Sequence, residues 1–210
     1  MEQLKNDICV VILTGGLSSR MGGGIKSLEK FNNKTIFDRI LEKVNNQSKY
    51  IIVNSNDERK EFNKYNLPII KDVFKGYLGP LAGIHASLNW MKFNIPEVNW
   101  LVSVPSDTPF LPIDLVKKLI FKAIKHKKNI VLAKSKNKIH PVIGVWKCNS
   151  SLLEDLETNL IKGTRKIILW AKSHSFETQN FDQDFFDPFF NINSREDLIK
   201  AQEIENRYLI

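Results

Sequence analysis

The chain has 210 residues, of which 42% are hydrophobic, and this is enough to bury a substantial core within one domain spanning residues 1–210. The sequence contains no run of about twenty apolar residues, so we expect no transmembrane helix and no membrane partner. Its first seven residues include two acids and a lysine, which is atypical of a signal or transit peptide. A cytoplasmic protein is therefore expected.

The formal net charge of +8 and the pI near 9.4 would suit an anionic ligand, but the lysines are scattered as on an ordinary solvated surface. The densest basic run, residues 117–128, falls on a predicted surface helix and is more typical of solubility than of nucleic-acid recognition. We therefore expect no nucleic-acid partner. Cys9 and Cys148 stand in apolar surroundings without metal-ligand spacing, and we expect both to be small buried hydrophobic residues.

The most informative segment is a strand followed by a glycine-rich loop. The six residues Ile8–Leu13 are all apolar, which is typical of a strand buried on both faces of a parallel sheet. The backbone N–H groups of the loop, together with the cations Arg20 and Lys26, predict a site for phosphate groups. The loop is not a Walker A sequence, because Ile25 precedes the lysine, and Ser27 stands where a dinucleotide-binding fingerprint needs its third glycine.

Helices and strands alternate after this loop, which predicts a parallel sheet with its ligand site at the carboxyl edge. The predicted elements are a helix capped by Thr35, a strand over residues 50–54, an extended segment over 68–72, a helix from Pro80 and a strand over 100–104. Asn54, Asp72 and Asp107 end or follow the extended elements. All three are therefore expected at the same edge of the sheet as the loop.

These polar residues admit two interpretations. Asn and Asp are common at strand ends because they cap helices and shape turns. Together with the loop, however, Asn54 and Asp72 fit a nucleobase pocket, because a carboxylate can accept both the N1–H and the N2 amino hydrogens of guanine. Asp107 follows Pro105, which ends its strand, and a carboxylate in this place is suited to holding Mg²⁺ against nucleotide phosphates.

The second half of the chain continues the alternation. We expect a helix after Asp114, strands over 130–133 and 141–146 joined by a polar connection over 134–139, two helices between residues 149 and 171, an irregular aromatic edge over 181–190, and a strand leading into a last helix capped by Ser194. His140 at a strand end, and Arg165 and Lys166 at a turn, could contact an anionic acceptor, although structural roles are common for such residues.

The loop reads L-T-G-G-x-x-x-R-M-G-x-x-x-K and resembles the signature of nucleotidyltransferases, most closely that of MobA-type molybdenum cofactor guanylyltransferases. Four further matches follow in order: Asn54 with Asp72, G-P-L-A-G at 79–83, S-D-T-P at 106–109 and N-x-N at 191–193. The loop departs from the family pattern at Thr14, where alanine is usual, and at Ile25, where aspartate is usual.

This resemblance extends over residues 10–198 and implies a three-layer α/β/α fold with a mostly parallel, Rossmann-like twisted sheet of the nucleotide-diphospho-sugar transferase type. It implies transfer of GMP from GTP to molybdenum-bound molybdopterin, with Mg²⁺ as cofactor and pyrophosphate as leaving group. Arg20, Lys26 and Asp107 would be catalytic, and Asp107 with Asn193 would hold the metal. The residues implied to bind GTP are Leu13, Thr14, Gly15, Gly16, Lys26, Asn54, Asp72 and Asp107.

Two alternatives stay open. Because such a loop serves many nucleoside triphosphates, the chain could be a related cytidylyl- or sugar-nucleotide transferase, and a catalytically weak nucleotide-binding adaptor is the other alternative. Under the main interpretation the partners are GTP and molybdenum-molybdopterin as substrates, together with molybdopterin-insertion proteins and acceptor enzymes. A monomer or weak oligomer is expected.

Overall fold

A computed structural model of the chain describes residues 2–15, 25–56, 60–76 and 78–209. Within these residues the strands are β1 (Ile8–Leu13), β2 (Lys30–Phe31), β3 (Lys34–Thr35), β4 (Tyr50–Asn54), β5 (Ile69–Ile70), β6 (Trp100–Pro105), β7 (Ile130–Ser135), β8 (Lys138–Lys147) and β9 (Glu177–Asn180). The α-helices are α1 (Glu2–Lys5), α2 (Ile36–Asn45), α3 (Pro80–Asn94), α4 (Leu115–Lys125), α5 (Ser150–Ile161), α6 (Ile167–Ser173) and α7 (Arg195–Tyr208). Short 3-10 turns lie at Lys26–Leu28 and Lys60–Tyr65.

Seven strands form one sheet in the order β5-β4-β1-β6-β8-β7-β9. Every neighbouring pair is parallel except the two pairs made by β8, which runs antiparallel to both β6 and β7. Helices α2, α4 and α7 pack on one face of the sheet, and α3, α5 and α6 pack on the other. The predicted three-layer α/β/α fold with a mostly parallel sheet is confirmed.

Strand β1 lies inside the sheet between β4 and β6 and is buried along its whole length, as its apolar run predicts. Ile8, Val10 and Ile12 join the core on the α2 side, while Cys9, Val11 and Leu13 join the core on the α3 side. A strand with hydrophobic cores on both faces cannot tolerate a polar residue at alternate positions. This explains why six consecutive apolar residues precede the loop.

Both predicted helix caps are present. Thr35 accepts a hydrogen bond from the Asp38 N–H, and the Asp38 carboxylate accepts one from the Thr35 N–H, so α2 begins with a complete capping box. Ser194 and Asp197 make the same pair of bonds at the start of α7. Because each box satisfies two otherwise unpaired N–H groups, the two helices begin where the sequence predicts.

Three local predictions differ from the structure. The connection over 134–139 is mostly strand, because only Lys136 and Asn137, with φ of 45° and 62°, turn the chain between β7 and β8. Strand β9 was not predicted; it is a polar edge strand whose sequence E-T-Q-N lacks the apolar alternation of a core strand. The strand expected before Ser194 is absent, and residues 189–193 form a loop whose N–H groups donate hydrogen bonds to residues outside the loop.

The two cysteines are free thiols in apolar surroundings. Cys9 is fully buried, whereas Cys148 is half-buried with its thiol 3.8 Å from the sulfur of Met91. Burial raises the pKa of Cys148 to about 12, so the thiol stays protonated at neutral pH. Among the described residues, no helix combines the length and the apolar character that crossing a bilayer requires.

Candidate active site

The carboxyl ends of β4, β1 and β6 meet at one edge of the sheet. Leu13 at the end of β1 pairs with Asn54 on one side and with Pro105 on the other. The next residue, Thr14, donates from its N–H to the Asn54 carbonyl at 3.0 Å and from its hydroxyl to the same oxygen at 2.9 Å. The hydroxyl of Thr14 therefore ties the start of the glycine-rich loop to β4, which alanine in that place could not do.

A lysine, an aspartate and an asparagine from distant parts of the chain meet beside this edge. The Lys26 ammonium lies 2.8 Å from the Asp107 carboxylate and 3.0 Å from the Asn193 side-chain oxygen. The side chains of Lys26 and Asp107 are 22% and 19% exposed. Their charges are therefore partly shielded from solvent but still accessible to a ligand.

The loop before α7 holds Asp107 and Asn193 in position. The Ile192 N–H donates to the Asp107 carbonyl at 2.9 Å, and the fully buried Thr108 hydroxyl donates to the Asn191 side-chain oxygen at 2.7 Å. The Asn193 N–H donates to the Asp197 carboxylate at 3.0 Å, and this bond holds the pKa of Asp197 below its ordinary value. The capping box of α7 is thus continuous with the site.

A second polar cluster lies at the ends of β4 and β5. The Asn54 amide donates to one oxygen of the Asp72 carboxylate at 3.0 Å, and the Asn56 amide donates to the other at 2.7 Å. The Asp72 N–H donates back to Asn56 at 2.8 Å. A carboxylate has about four lone-pair positions, so Asp72 keeps acceptor capacity on both oxygens after these two bonds.

Helix α3 approaches this cluster closely at Gly83. A Cβ atom at this position would lie 2.4 Å from the Asn54 side-chain oxygen and 2.8 Å from the Leu13 side chain. Gly79, with φ of 79°, makes the turn that directs the helix, and Pro80 occupies its first turn. The glycines of G-P-L-A-G therefore serve two steric needs, which are a left-handed turn and close contact between α3 and the polar cluster around Asp72.

The structure brings together seven of the predicted site residues at the carboxyl edge: Leu13, Thr14, Lys26, Asn54, Asp72, Asp107 and Asn193. Gly15 is exposed at the start of the loop. Gly16 and Arg20, which were predicted to contact the nucleotide and its phosphates, lie outside the described residues. Ile25, which stands where the family pattern has aspartate, is partly buried and packs against the core on the α2 side.

One hydrogen-bonded chain at this edge was missed by sequence reasoning. The Ser135 hydroxyl donates to the Asp187 carboxylate at 2.7 Å and therefore accepts from the His140 Nε2–H at 2.8 Å. Burial lowers the pKa of His140, and the negative charge of Asp187 opposes this shift only in part. The three residues belong to β7, β8 and a loop, and a histidine before a proline was the only signal.

Of the two cations at the turn before α6, Arg165 makes structural hydrogen bonds and Lys166 stands at the start of the helix. The Arg165 guanidinium donates to the Leu160 carbonyl at 2.8 Å and to the Thr164 carbonyl at 2.9 Å, closing the end of α5. Lys166 is the N-cap residue of α6. These hydrogen bonds give Arg165 a structural role and do not require an anionic acceptor. Among the residues that the structure describes, no three His, Cys, Asp or Glu side chains form a metal-binding group.

The chain matches the MobA-like NTP transferase domain over residues 10–175, and it belongs to that family. It is a nucleotidyltransferase, as the sequence predicts. The molybdenum cofactor guanylyltransferase of Nitrobacter hamburgensis is 37% identical over 195 residues, which is 92% of each chain. The protein of the same name from Rhodopseudomonas palustris strain BisB5 is 35% identical over 198 residues, covering 94% of this chain and 93% of that one.

Solved structures agree with the fold. The molybdopterin-guanine dinucleotide biosynthesis protein A of Archaeoglobus fulgidus superposes with a TM-score of 0.76 at 26% identity, covering 95% of this chain and 99% of that chain. The CMP:2-keto-3-deoxy-manno-octonic acid synthetase, solved in complex with CTP, superposes with a TM-score of 0.70 at 12% identity. The superposition covers 98% of this chain and 100% of that chain. This second likeness concerns the fold alone.

Proposed function

We propose that this chain transfers GMP from GTP to the terminal phosphate of molybdenum-bound molybdopterin and releases pyrophosphate. The observation that carries the proposal is the meeting of Lys26, Asp107 and Asn193 within 3.0 Å at the sheet edge that also holds Asn54 and Asp72. Relatives covering more than nine-tenths of the chain bear the name of this guanylyltransferase.

Asp72 is the residue we propose to recognise guanine. The amides of Asn54 and Asn56 orient its carboxylate, and the remaining lone pairs can accept the N1–H and an N2 hydrogen of the base. Adenine presents an acceptor at N1, so a lone pair of the half-buried carboxylate would face another acceptor in place of the N1–H donor, which is costly. Asn54 itself is 4% exposed, so its role is to hold Asp72 while Leu13, Thr14 and the loop contact the nucleotide through their backbone.

The donor set beside Lys26 fits a divalent cation. One carboxylate and one amide oxygen converge on a single positively charged group, and Mg²⁺ prefers such hard oxygen ligands with substrate phosphates completing its coordination. Asp107 and Asn193 would hold the ion. When bound, the ion would neutralise charge on the reacting phosphates.

The remaining chemistry needs charge stabilisation more than proton transfer. An oxygen of the acceptor phosphate is ionised at neutral pH and can attack the α-phosphorus without a general base. A new bond forms between that oxygen and the α-phosphorus, the bond to the bridging β-oxygen breaks, and pyrophosphate leaves with the electron pair. Lys26, with Arg20, Gly15 and Gly16 of the loop, would hold the phosphates and offset the negative charge that develops.

The test is a pyrophosphate-release assay with purified protein, Mg²⁺, molybdenum-molybdopterin and, in separate reactions, GTP, CTP, ATP or UTP. We expect release only with GTP, and loss of about 100-fold or more in Lys26→Ala and Asp107→Ala, the size typical of removing one preorganised charge. Lys118→Ala is the matched control, because Lys118 forms a 2.8 Å ion pair with Asp114 on the exposed surface of α4.

The same assay tests the base assignment and both alternatives. Asp72→Asn replaces a carboxylate oxygen by an N–H₂ group that would face the N1–H of guanine, and we expect it to lose at least tenfold in GTP selectivity. Equal turnover of CTP by the unmodified protein would overturn the guanine assignment in favour of a cytidylyltransferase. Tight GTP binding without release of pyrophosphate would favour the adaptor.

A further inference from the structure

The Lys26 ammonium touches both residues that we propose as metal ligands, and this arrangement has a consequence for the order of binding. We infer that Lys26 is the resident cation of the metal site in the nucleotide-free protein, so that a divalent metal binds well only together with the nucleotide. The inference rests on the proposed assignment of Asp107 and Asn193 as metal ligands. It gives Lys26 a function before the nucleotide arrives, in addition to its contact with phosphates afterwards.

The geometry supports a bridging ion rather than a single surface pair. Nζ lies 2.8 Å from the Asp107 oxygen and 3.0 Å from the Asn193 oxygen, so one ammonium satisfies a carboxylate and an amide at once. The side chains of Lys26 and Asp107 are 22% and 19% exposed, whereas the i,i+4 pair of Lys118 and Asp114 is 48% and 42% exposed. Charges that are partly shielded from water interact more strongly than charges on the surface.

A divalent metal and the ammonium cannot share this position. The described ligand set brings one negative charge, and a metal entering beside the ammonium would raise the positive charge there to three. The like charges repel over a short distance in a partly desolvated place. A nucleoside triphosphate removes the conflict, because its phosphates supply several negative charges that can hold both the metal and the displaced ammonium.

Only the Lys26 side chain needs to move. Its backbone begins the 3-10 turn Lys26–Leu28, which is fixed by bonds from the Leu28 N–H to Ile25 and from the Glu29 N–H to Lys26, at 2.9 and 3.1 Å. Ser27, between them, is buried. The flexible four-carbon stem of a lysine can redirect its ammonium without any change in this turn. The glycine-rich loop predicted to bind phosphates directly precedes it in the sequence.

The inference is tested by measuring Mn²⁺ binding, from the electron paramagnetic resonance signal of free Mn²⁺, with no nucleotide or acceptor present. The variants are Lys26→Met, which removes the charge but keeps an unbranched side chain, Lys26→Arg, which keeps the charge, and Lys118→Met as the control. We expect Lys26→Met to bind Mn²⁺ about tenfold more tightly than the unmodified protein, within the roughly 5- to 150-fold range usual for coupled sites. Lys26→Arg and Lys118→Met should bind as the unmodified protein does.

Further outcomes decide against the inference. Equal or weaker Mn²⁺ binding by Lys26→Met, or a gain that Lys26→Arg or Lys118→Met reproduces, would overturn it. A gain that survives when Asp107→Asn is added to Lys26→Met would place the metal elsewhere and also overturn it. A thermal melt in EDTA shows that each variant is folded. Because no nucleotide is used, the result is independent of whether the pyrophosphate assay identifies GTP as the substrate.

Discussion

Replacing Gly83 by alanine tests how the polar cluster of Asn54, Asn56 and Asp72 is supported, without changing any residue that we propose to contact the nucleotide. The added Cβ would lie 2.4 Å from the Asn54 side-chain oxygen and 2.8 Å from a methyl group of Leu13, about 1 Å closer than ordinary contact for the first of these. The Leu13 methyl is the end of a flexible chain. Asn54 is 4% exposed and is held by its bond to Asp72, so it cannot yield without losing that bond.

One gain and two costs decide how much Gly83→Ala changes the free energy of unfolding. Alanine is favoured over glycine inside a helix by about 1 kcal/mol, which would stabilise α3 if space were available. Overpacking a filled core costs about 1–3 kcal/mol, and losing a hydrogen bond to a charged group costs about 1.5–3 kcal/mol. Together, the two costs less the gain in helix propensity predict that Gly83→Ala lowers the free energy of unfolding by about 1.5–5 kcal/mol. Displacement of Asn54 should also weaken GTP binding by about tenfold or more, because Asp72 loses its support.

The effect of the contact between the added Cβ and Asn54 can be measured by urea unfolding of four proteins. These are the unmodified chain, Gly83→Ala, Asn54→Ala and the double variant. Asn54→Ala removes the oxygen that the new Cβ would strike, so Gly83→Ala should cost at least about 1 kcal/mol less in that background. Fluorescence titration with GTP gives the matching binding data. If Gly83→Ala is as stable as the unmodified protein, or is more stable by the helix-propensity increment, the steric explanation is refuted.

Two further substitutions test the support of the metal ligands and the acid sensitivity of the core. Thr108→Val removes the hydroxyl that donates to Asn191, and we expect the free energy of unfolding in urea to fall by about 1–3 kcal/mol. In a Lys26→Met background the same change should weaken Mn²⁺ binding at Asp107. If neither the stability nor the Mn²⁺ affinity changes, Thr108 does not support the metal ligands. His85 is 3% exposed, and burial lowers its pKa although two carboxylates oppose the shift. Because the unfolded chain then binds a proton more readily, stability should be complete above pH 6.5 and fall below it, by at most about 1.4 kcal/mol per pH unit from this group. His85→Leu should flatten the difference in unfolding free energy between pH 7.5 and 5.5, and an unchanged pH dependence would exclude His85 as its source.

Much of the fold follows from local patterns. The buried run Ile8–Leu13 forms an interior strand of the sheet, and the caps at Thr35 and Ser194 begin their helices as expected. Strand β9 was missed because its polar residues carry no periodic signal, and its place depends on the exposed edge that β7 offers. The start of β8 was predicted too late because the pattern of residues 138–140 does not show that residues on both sides of a two-residue turn will pair.

The candidate site also has features that the sequence predicts and features that it does not. The strand ends predicted that Asn54 and Asp107 would lie at one edge, since parallel strands bring their carboxyl ends together. The hydrogen-bonded chain of Ser135, His140 and Asp187 could not be predicted, because a polar residue in a loop shows no preference for a particular distant partner. The orientation of Asp72 by two asparagines likewise depends on the pairing of β4 with β5.

By itself, the sequence determined the class of fold, the glycine-rich loop after β1, and the polar residues available at the carboxyl edge. These depend on hydrophobic period, caps and backbone freedom, which are properties of neighbouring residues. Only the tertiary structure decided that the Lys26 ammonium lies between Asp107 and Asn193, the latter 167 positions away in the chain. Such a contact depends on how the loop before α7 packs against the end of β6, and packing is a property of the whole folded chain.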